Sequence, residues 1–185
     1  TRSLIEDKVV LCDSKAHQES GYFRTHHKLF FWYFVARSFL KKAPTLIHIQ
    51  GDPGASTMYS VVSGNGGPCL LGEDGMSTTL NMYSYNSFAN VLYIDAPGTV
   101  GYTQIDHKYA VTVPFMLLHA LQEFFKTYRY NDTDAFLVGQ SYAGEIGSFS
   151  KLLSLRVFNA GYYVAEDVPE AALQMMRDFV KNELH

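Results

Sequence analysis

Apolar positions along the chain fall into short runs separated by turn-forming residues, with one long helical stripe. Residues 20–24 (SGYFR) and 29–37 (LFFWYFVAR) are rich in aromatics and flank a polar His26-His27-Lys28. That pattern predicts an antiparallel β-hairpin. Residues 45–50 (TLIHIQ) form a short strand running into Gly51-Asp52-Pro53-Gly54, a strong turn signal. Residues 58–86 mix Gly, Ser, Asn and Tyr with no clear period and read as loop. Residues 90–98 (NVLYIDAPG) read as a buried strand ending in a turn.

Within 111–128, Leu117, Leu121, Phe124, Phe125 and Tyr128 lie on one helical face. AFLVG, 135–139, predicts the next strand, with a helix starting just after Ser141. LRVFN, 155–159, predicts a last strand, paired with the strand ending at Gly139. Asp167, three residues before Glu170 and with Pro169 in the first turn, predicts a helix start. Leu173, Met176, Phe179 and Val180 would form that helix's core stripe. Strands alternating with helices after an opening hairpin predict an α/β sheet with a parallel centre. We expect one domain over 1–185, with residues 1–17 as an N-terminal extension.

Composition narrows the function classes. With 185 residues, 47% apolar and 18% charged, the chain is long and apolar enough for a core. A net charge of −3 offers no footprint for nucleic acid or an anionic membrane. The apolar runs are too short and interrupted to span a bilayer. The chain opens on Thr1 without a signal peptide, which predicts a processed product, a fragment or part of a longer chain. Seven histidines show no metal-ligand spacing, and His26 and His27 read as surface residues. Cys12 and Cys69 allow one disulfide or two free buried thiols. Asn131-Asp132-Thr133 is a glycosylation sequon.

The chemistry centres on Gly139-Gln140-Ser141-Tyr142-Ala143-Gly144. A serine between small residues after a strand fits a nucleophile elbow or an ordinary turn, and the strict Gly-x-Ser-x-Gly pentapeptide is absent. Neighbouring segments bear on the choice. GQSYAG (139–144) resembles the GESYAG of serine carboxypeptidases, and IQGDPGAST (49–57) resembles their LNGGPGCSS. NMYSYNSFANVLYIDAPGTVGYT (81–103) is similar to NPYSWNxxANVLFLDQPVGTGFS. GYFRTHHKLFFWYFVAR (21–37) resembles GYLxVxxxxxxFFWFFESR. LRVFNAGYYVAEDVPEAALQMMRDFV (155–180) resembles LRVFNAGHMVPxDxPxxALxMVxxWI. These blocks stand in the family's order.

The resemblance implies an α/β-hydrolase fold, a secretory, vacuolar, lysosomal or extracellular location, and no cofactor or metal. It implies removal of the last residue from a peptide with a free C-terminus by a Ser-Asp-His triad. Ser141 takes the nucleophile's position, and the amides of Tyr142 and Asp52 take those of the oxyanion donors. Gln50, Gly51, Asn65 and Gln140 fall on the site for the substrate's terminal carboxylate, where the family has an Asn and two Glu. Amides donate hydrogen bonds at any pH and do not repel a carboxylate, so the family's acid requirement would be lifted.

Two departures weaken the catalytic reading. The family histidine position is Tyr162, and a phenol of pKa ~10 cannot take the serine proton as imidazole does. Only residues 142–154 separate Ser141 from Leu155, so the family's cap and its aspartate-bearing strand are missing. His185 cannot replace the base with Asp167 behind it, because the intervening helix holds them roughly 20 Å apart. His48 reads as a strand residue, and His119 also precedes the serine. The Asp52 carboxylate beside an oxyanion would cost up to about 4 kcal/mol, less than the missing base. The expectation is a serine carboxypeptidase relative with weak or absent turnover. The alternatives are a module binding peptide C-terminal carboxylates, or a non-functional truncated product.

Overall fold

Two aromatic-rich strands open the sheet. In the computed structural model, the residues described are 11–23, 28–38, 42–51, 54–96, 100–104, 113–128, 133–141, 143–144 and 155–184. Gln18–Tyr22 (β1) and Phe30–Phe34 (β2) pair antiparallel, with Ser20 opposite Trp32. The hairpin expected there is present, although its His26-His27 turn lies outside the described residues. Thr45–Gly51 (β3) is buried along its whole length. Leu46 fills one face and Ile47 and Ile49 the other, and the polar His48 and Gln50 side chains are hydrogen-bonded to Ser60.

The segment expected to be loop carries structure of its own. Met58–Ser63 (α1) is a short helix ended by Gly64 at φ 91°, a left-handed conformation that favours glycine. Cys69–Leu71 (β4) and Thr78–Leu80 (β5) form a small antiparallel hairpin. Its turn is held by the Asp74 carboxylate, which accepts from the Met76 and Ser77 amides at 3.0 and 2.9 Å. A 3₁₀ turn follows at Tyr85–Ser87. Three-residue strands and a six-residue helix are too short to show a period, so the pattern hid them.

Asn90–Ile94 (β6) is fully buried, and Val113–Tyr128 (α2) fits the stripe read from the sequence. Ala135–Ser141 (β7) extends the expected strand by two residues. Val164–Asp167 (α3) and Pro169–Lys181 (α4) close the described chain. The sheet order is β1-β2-β6-β3-β7. β2 runs antiparallel to β6, whereas β3 is parallel to both β6 and β7. Alternate side chains feed two cores. Ile47, Ile49, Leu92 and Ile94 pack under α2 through Met116, Leu117, Ala120 and Phe124. Leu46, Val91 and Tyr93 face Val61 of α1 and Ala172, Leu173 and Met176 of α4.

Two expectations about the C-terminal part are corrected. Residues 155–159 form no strand: Leu155 and Phe158 are exposed, and Asn159 turns the chain at φ 59°. With those apolar side chains facing solvent, the alternation gains no burial and nothing holds the segment extended. Asp167 does not cap α4. Its Oδ2 accepts from the Gly161 amide at 2.6 Å, while Val168 takes the cap position and Pro169 the first turn. In α4, Leu173 and Met176 are buried, but Phe179 stays 41% exposed against the ring of Phe136.

The last part of the expected N-terminal extension is bound into the fold. Cys12 and Cys69 form a disulfide with their Cα atoms 5.3 Å apart. Beside it, Arg37 Nε donates to the buried Asp13 carboxylate at 2.6 Å, and its other nitrogens donate to the carbonyls of Asn81 and Pro68. Burial pulls the Asp13 pKa upward, but hydrogen bonds from Arg37 and Asn86 and the Arg37 charge outweigh it and hold the carboxyl low. The disulfide closes a sequence separation of 57 residues. The double variant Cys12→Ala/Cys69→Ala is expected to lose roughly 4 kcal/mol of unfolding free energy by the chain-entropy relation. Urea denaturation checks it, and an unchanged midpoint would show that the bridge constrains little.

Candidate functional site

The site begins where β3 and β7 end together. In their parallel register Gly51 lies opposite Ser141, and Gln50 opposite Gln140. Ser141 has φ 58°, a left-handed backbone rare for a residue with a side chain. Such a conformation costs about 1–3 kcal/mol and persists only where surrounding packing enforces it. Here the chain folds back so closely that a Cβ on Gly139 would sit 2.6 Å from the Ala143 carbonyl oxygen. A Cβ on Gly51 would meet the Ala143 Cβ and backbone nitrogen at 2.9 Å. The two glycines thus make room for a sharp turn that leaves Ser141 exposed over buried Ala143.

Gln50, Asn65 and Gln140, taken from three separate segments, meet in one hydrogen-bonded cluster. Asn65 Nδ2 donates to Gln140 Oε1 at 2.7 Å and to Ser60 Oγ at 3.1 Å. Ser60 Oγ donates to Gln50 Oε1 at 2.5 Å. Gln140 Nε2 donates to the Tyr162 carbonyl at 2.9 Å. Tyr162 is therefore brought to the site, with its own side chain 49% exposed. Its ring meets Tyr163 edge-on, and Tyr163 stacks at a tilt on Tyr59, giving an aromatic wall beside the amides. Burial and the nearby Glu166 charge raise the Tyr59 phenol above its ordinary value.

His48 shares the face of Gln50, two residues along β3. Its Nε2 lies 3.2 Å from Ser60 Oγ, while its buried Nδ1 has no hydrogen-bond partner among the described residues. Burial lowers its pKa to about 4, so the ring is neutral at pH 7. Asp95 supports the neighbouring loops. It accepts from Ser56 Oγ at 2.7 Å and from the Tyr102 amide at 3.0 Å. Burial raises its pKa, and those hydrogen bonds pull the other way.

The serine carboxypeptidase family model matches residues 11–148, three quarters of the chain. The chain belongs to the serine carboxypeptidase family. It is 36% identical to the lysosomal protective protein of Mus musculus over 134 residues, 69% of this chain and 28% of that one. It is 33% identical to carboxypeptidase S1 of Penicillium janthinellum over 136 residues, 71% of this chain and 32% of that protein. Over 74 residues, 40% of this chain and 11% of the other, it is 47% identical to carboxypeptidase S1 homolog A of Arthroderma otae. The matches thus span at most about a third of these relatives' length. Among solved structures, Kex1Δp, a prohormone-processing carboxypeptidase from Saccharomyces cerevisiae, superposes with a TM-score of 0.59 at 22% identity, over 74% of this chain and 34% of its own. That likeness shows a shared α/β-hydrolase fold.

In this member of the serine carboxypeptidase family, several candidates lie outside the described residues: Asp52, Tyr142, His185, the sequon at Asn131-Asp132 and the expected helix beyond Gly144. His119 is exposed on α2, which covers the sheet face opposite Gln50. Sequence reasoning missed Ser60, because it lay in a segment read as loop. It also missed Tyr59 and Tyr163, which pattern alone gave no reason to bring together. The spacing of His48 and Gln50 was the available signal, since residues two apart on a strand share a face.

Two variants probe this geometry. Ser141→Gly is expected to gain about 1 kcal/mol of stability by releasing the positive φ, whereas Gly51→Ala should lose 1–3 kcal/mol, about the usual overpacking cost. Chemical denaturation of both checks the pair. His48 gives a pH signature. Its pKa is depressed in the folded chain, so its stability contribution is present above the unfolded value of 6.5 and is lost as pH falls to about 4. The full change is about 3 kcal/mol. Asp95 acts with the opposite sign, favouring the fold below 3.8 and ceasing to do so as pH rises through its raised value. Denaturation midpoints between pH 7 and 4 should fall in the native chain and flatten in His48→Leu.

Proposed function

We propose that this chain is a serine carboxypeptidase relative in which hydrolysis at Ser141 is weak or absent. The observation that carries the reading is Tyr162 at the family histidine position. A phenol with a pKa of ~10 is protonated near neutral pH and cannot serve as the general base. The described histidines are already engaged elsewhere or face away: His17 contacts Glu19, His48 contacts Ser60, and His119 is exposed on the far side. The left-handed backbone at Ser141 supports an elbow; the resemblance alone assigns the oxyanion amides to Tyr142 and Asp52, which lie outside the described residues. Loss of a triad base costs about 10⁶ in turnover. The disulfide supports an oxidising compartment. Together with the name of the mouse relative, it favours the secretory pathway, a lysosome or vacuole, or the extracellular space.

A second reading has its own observation. Gln50, Asn65 and Gln140 meet in a cluster of amides, so the chain retains a site for a peptide's terminal carboxylate at neutral pH. Incubation with a serine-directed phosphonate and with N-blocked dipeptides tests both readings. We expect at most slow labelling, abolished in Ser141→Ala, and no measurable release of amino acid. Stoichiometric labelling with turnover would overturn the first reading. Dipeptide binding at pH 7 that is lost in Gln140→Ala supports the second, and its absence removes it.

A further inference from the structure

We propose that a cleft along α4 binds a short apolar peptide with both ends free, its carboxylate held by Arg177 and its ammonium by Glu170. The cleft has a volume of about 750 Å³ and lies between α4 and Tyr83. That is within the size range of sites for small ligands. It shares no lining residue with the amide cluster at the ends of β3 and β7, so the proposal stands apart from both readings above.

Arg177 is the anchor. Its guanidinium lies over the Phe88 ring, 5.5 Å from the centroid. Its Nε is buried with no hydrogen-bond partner among the described residues. Nor does a carboxylate reach it there: the ion pairs among those residues are His17–Glu19, Arg37–Asp13 and Lys181–Glu183. The side chain thus keeps a full charge and five N–H donors, packed on an aromatic face, without an acceptor. Buried donors left in this state are rare and call for a reason. A carboxylate supplies one, because its two oxygens match the planar fork of the guanidinium.

Glu170 decides the rest of the ligand. It lines the same cleft seven residues before Arg177, so the two stand on one face of α4, roughly 10.5 Å apart along the axis. A purely anionic ligand such as phosphate would be drawn to Arg177 and repelled by Glu170. A ligand with opposite charges at its two ends satisfies both. Gln174 stands between them. Its Nε2 donates to Asp178 Oδ1 at 2.7 Å, which leaves its carbonyl to accept from a peptide N–H. Val168, Pro169, Leu173 and Tyr83 complete the lining and offer apolar surface to side chains. An extended chain advances roughly 3.3–3.6 Å per residue, so about three residues match the spacing of the two charges.

Calorimetric titration of the native chain at pH 7 with the tripeptide Leu-Gly-Leu, its C-terminal amide and its N-acetyl form tests the assignment. We expect the free tripeptide to bind about tenfold tighter than either blocked form, the worth of one hydrogen bond to a charged group. Equal binding of all three, or none, overturns the proposal, and no variant has to fold for that result. Arg177→Gln should lose the preference over the amide and keep the preference over the acetylated form. Glu170→Gln should do the reverse. Either variant retaining the preference it is expected to lose overturns the proposal. Gln140→Ala should leave tripeptide binding unchanged. Loss of binding in that variant would place the peptide at the amide cluster and overturn the α4 cleft as its site.

Discussion

The parallel pairing of β3 with β7 is the constraint on which the candidate site depends. It sets Gly51 against Ser141 and Gln50 against Gln140. A slip of one residue would turn each strand's side chains to the opposite face. Gln50 would then leave the amide cluster for the core under α2. The register is specified because β3 is buried on both sides, with Leu46 and His48 toward one core and Ile47 and Ile49 toward the other. Glycine at 51 and 139 lets the chain after β7 fold back against the strand ends. The strained φ of Ser141 follows from that close approach.

Around this pairing, polar anchors replace apolar packing where strands give way to loops. Asp95 joins the loop after β3 to the turn after β6, and Thr103 accepts from the Phe30 amide while donating to the Asp95 carbonyl. Arg37 and Asp13 do the same at the other end, together with the disulfide. Removing one partner of a buried ion pair strands the other charge, which makes such anchors costly to break singly. These groups hold the loops around the sheet in place without lining the site themselves.

The contrast between β3 and β7 bears on function. β3 is enclosed, while β7 has no buried position and is half-buried or exposed throughout. The residues after Phe158 return to the site where Gln140 donates to the Tyr162 carbonyl, and through the tyrosine wall. Gln140 is thus the half-buried member of the amide cluster, whereas Gln50 and Asn65 are buried.

The sequence by itself determined the alternation of strands and helices, the parallel centre of the sheet, the long helix and the family. These rest on periodicity and on contiguous motifs, which are local properties of the chain. It also put Tyr162 where the resemblance expects the family histidine. Only the tertiary structure decided that 155–159 would not be a strand, because a strand needs burial and a partner that the segment's own residues cannot supply. It decided the cysteine pairing, since the distance between Cys12 and Cys69 is a property of the fold. It also decided that Ser60 and His48 join Gln50, Asn65 and Gln140. Those residues come from a strand, a short helix, a turn and a second strand, and hydrogen-bond direction exists only once all of them are in place.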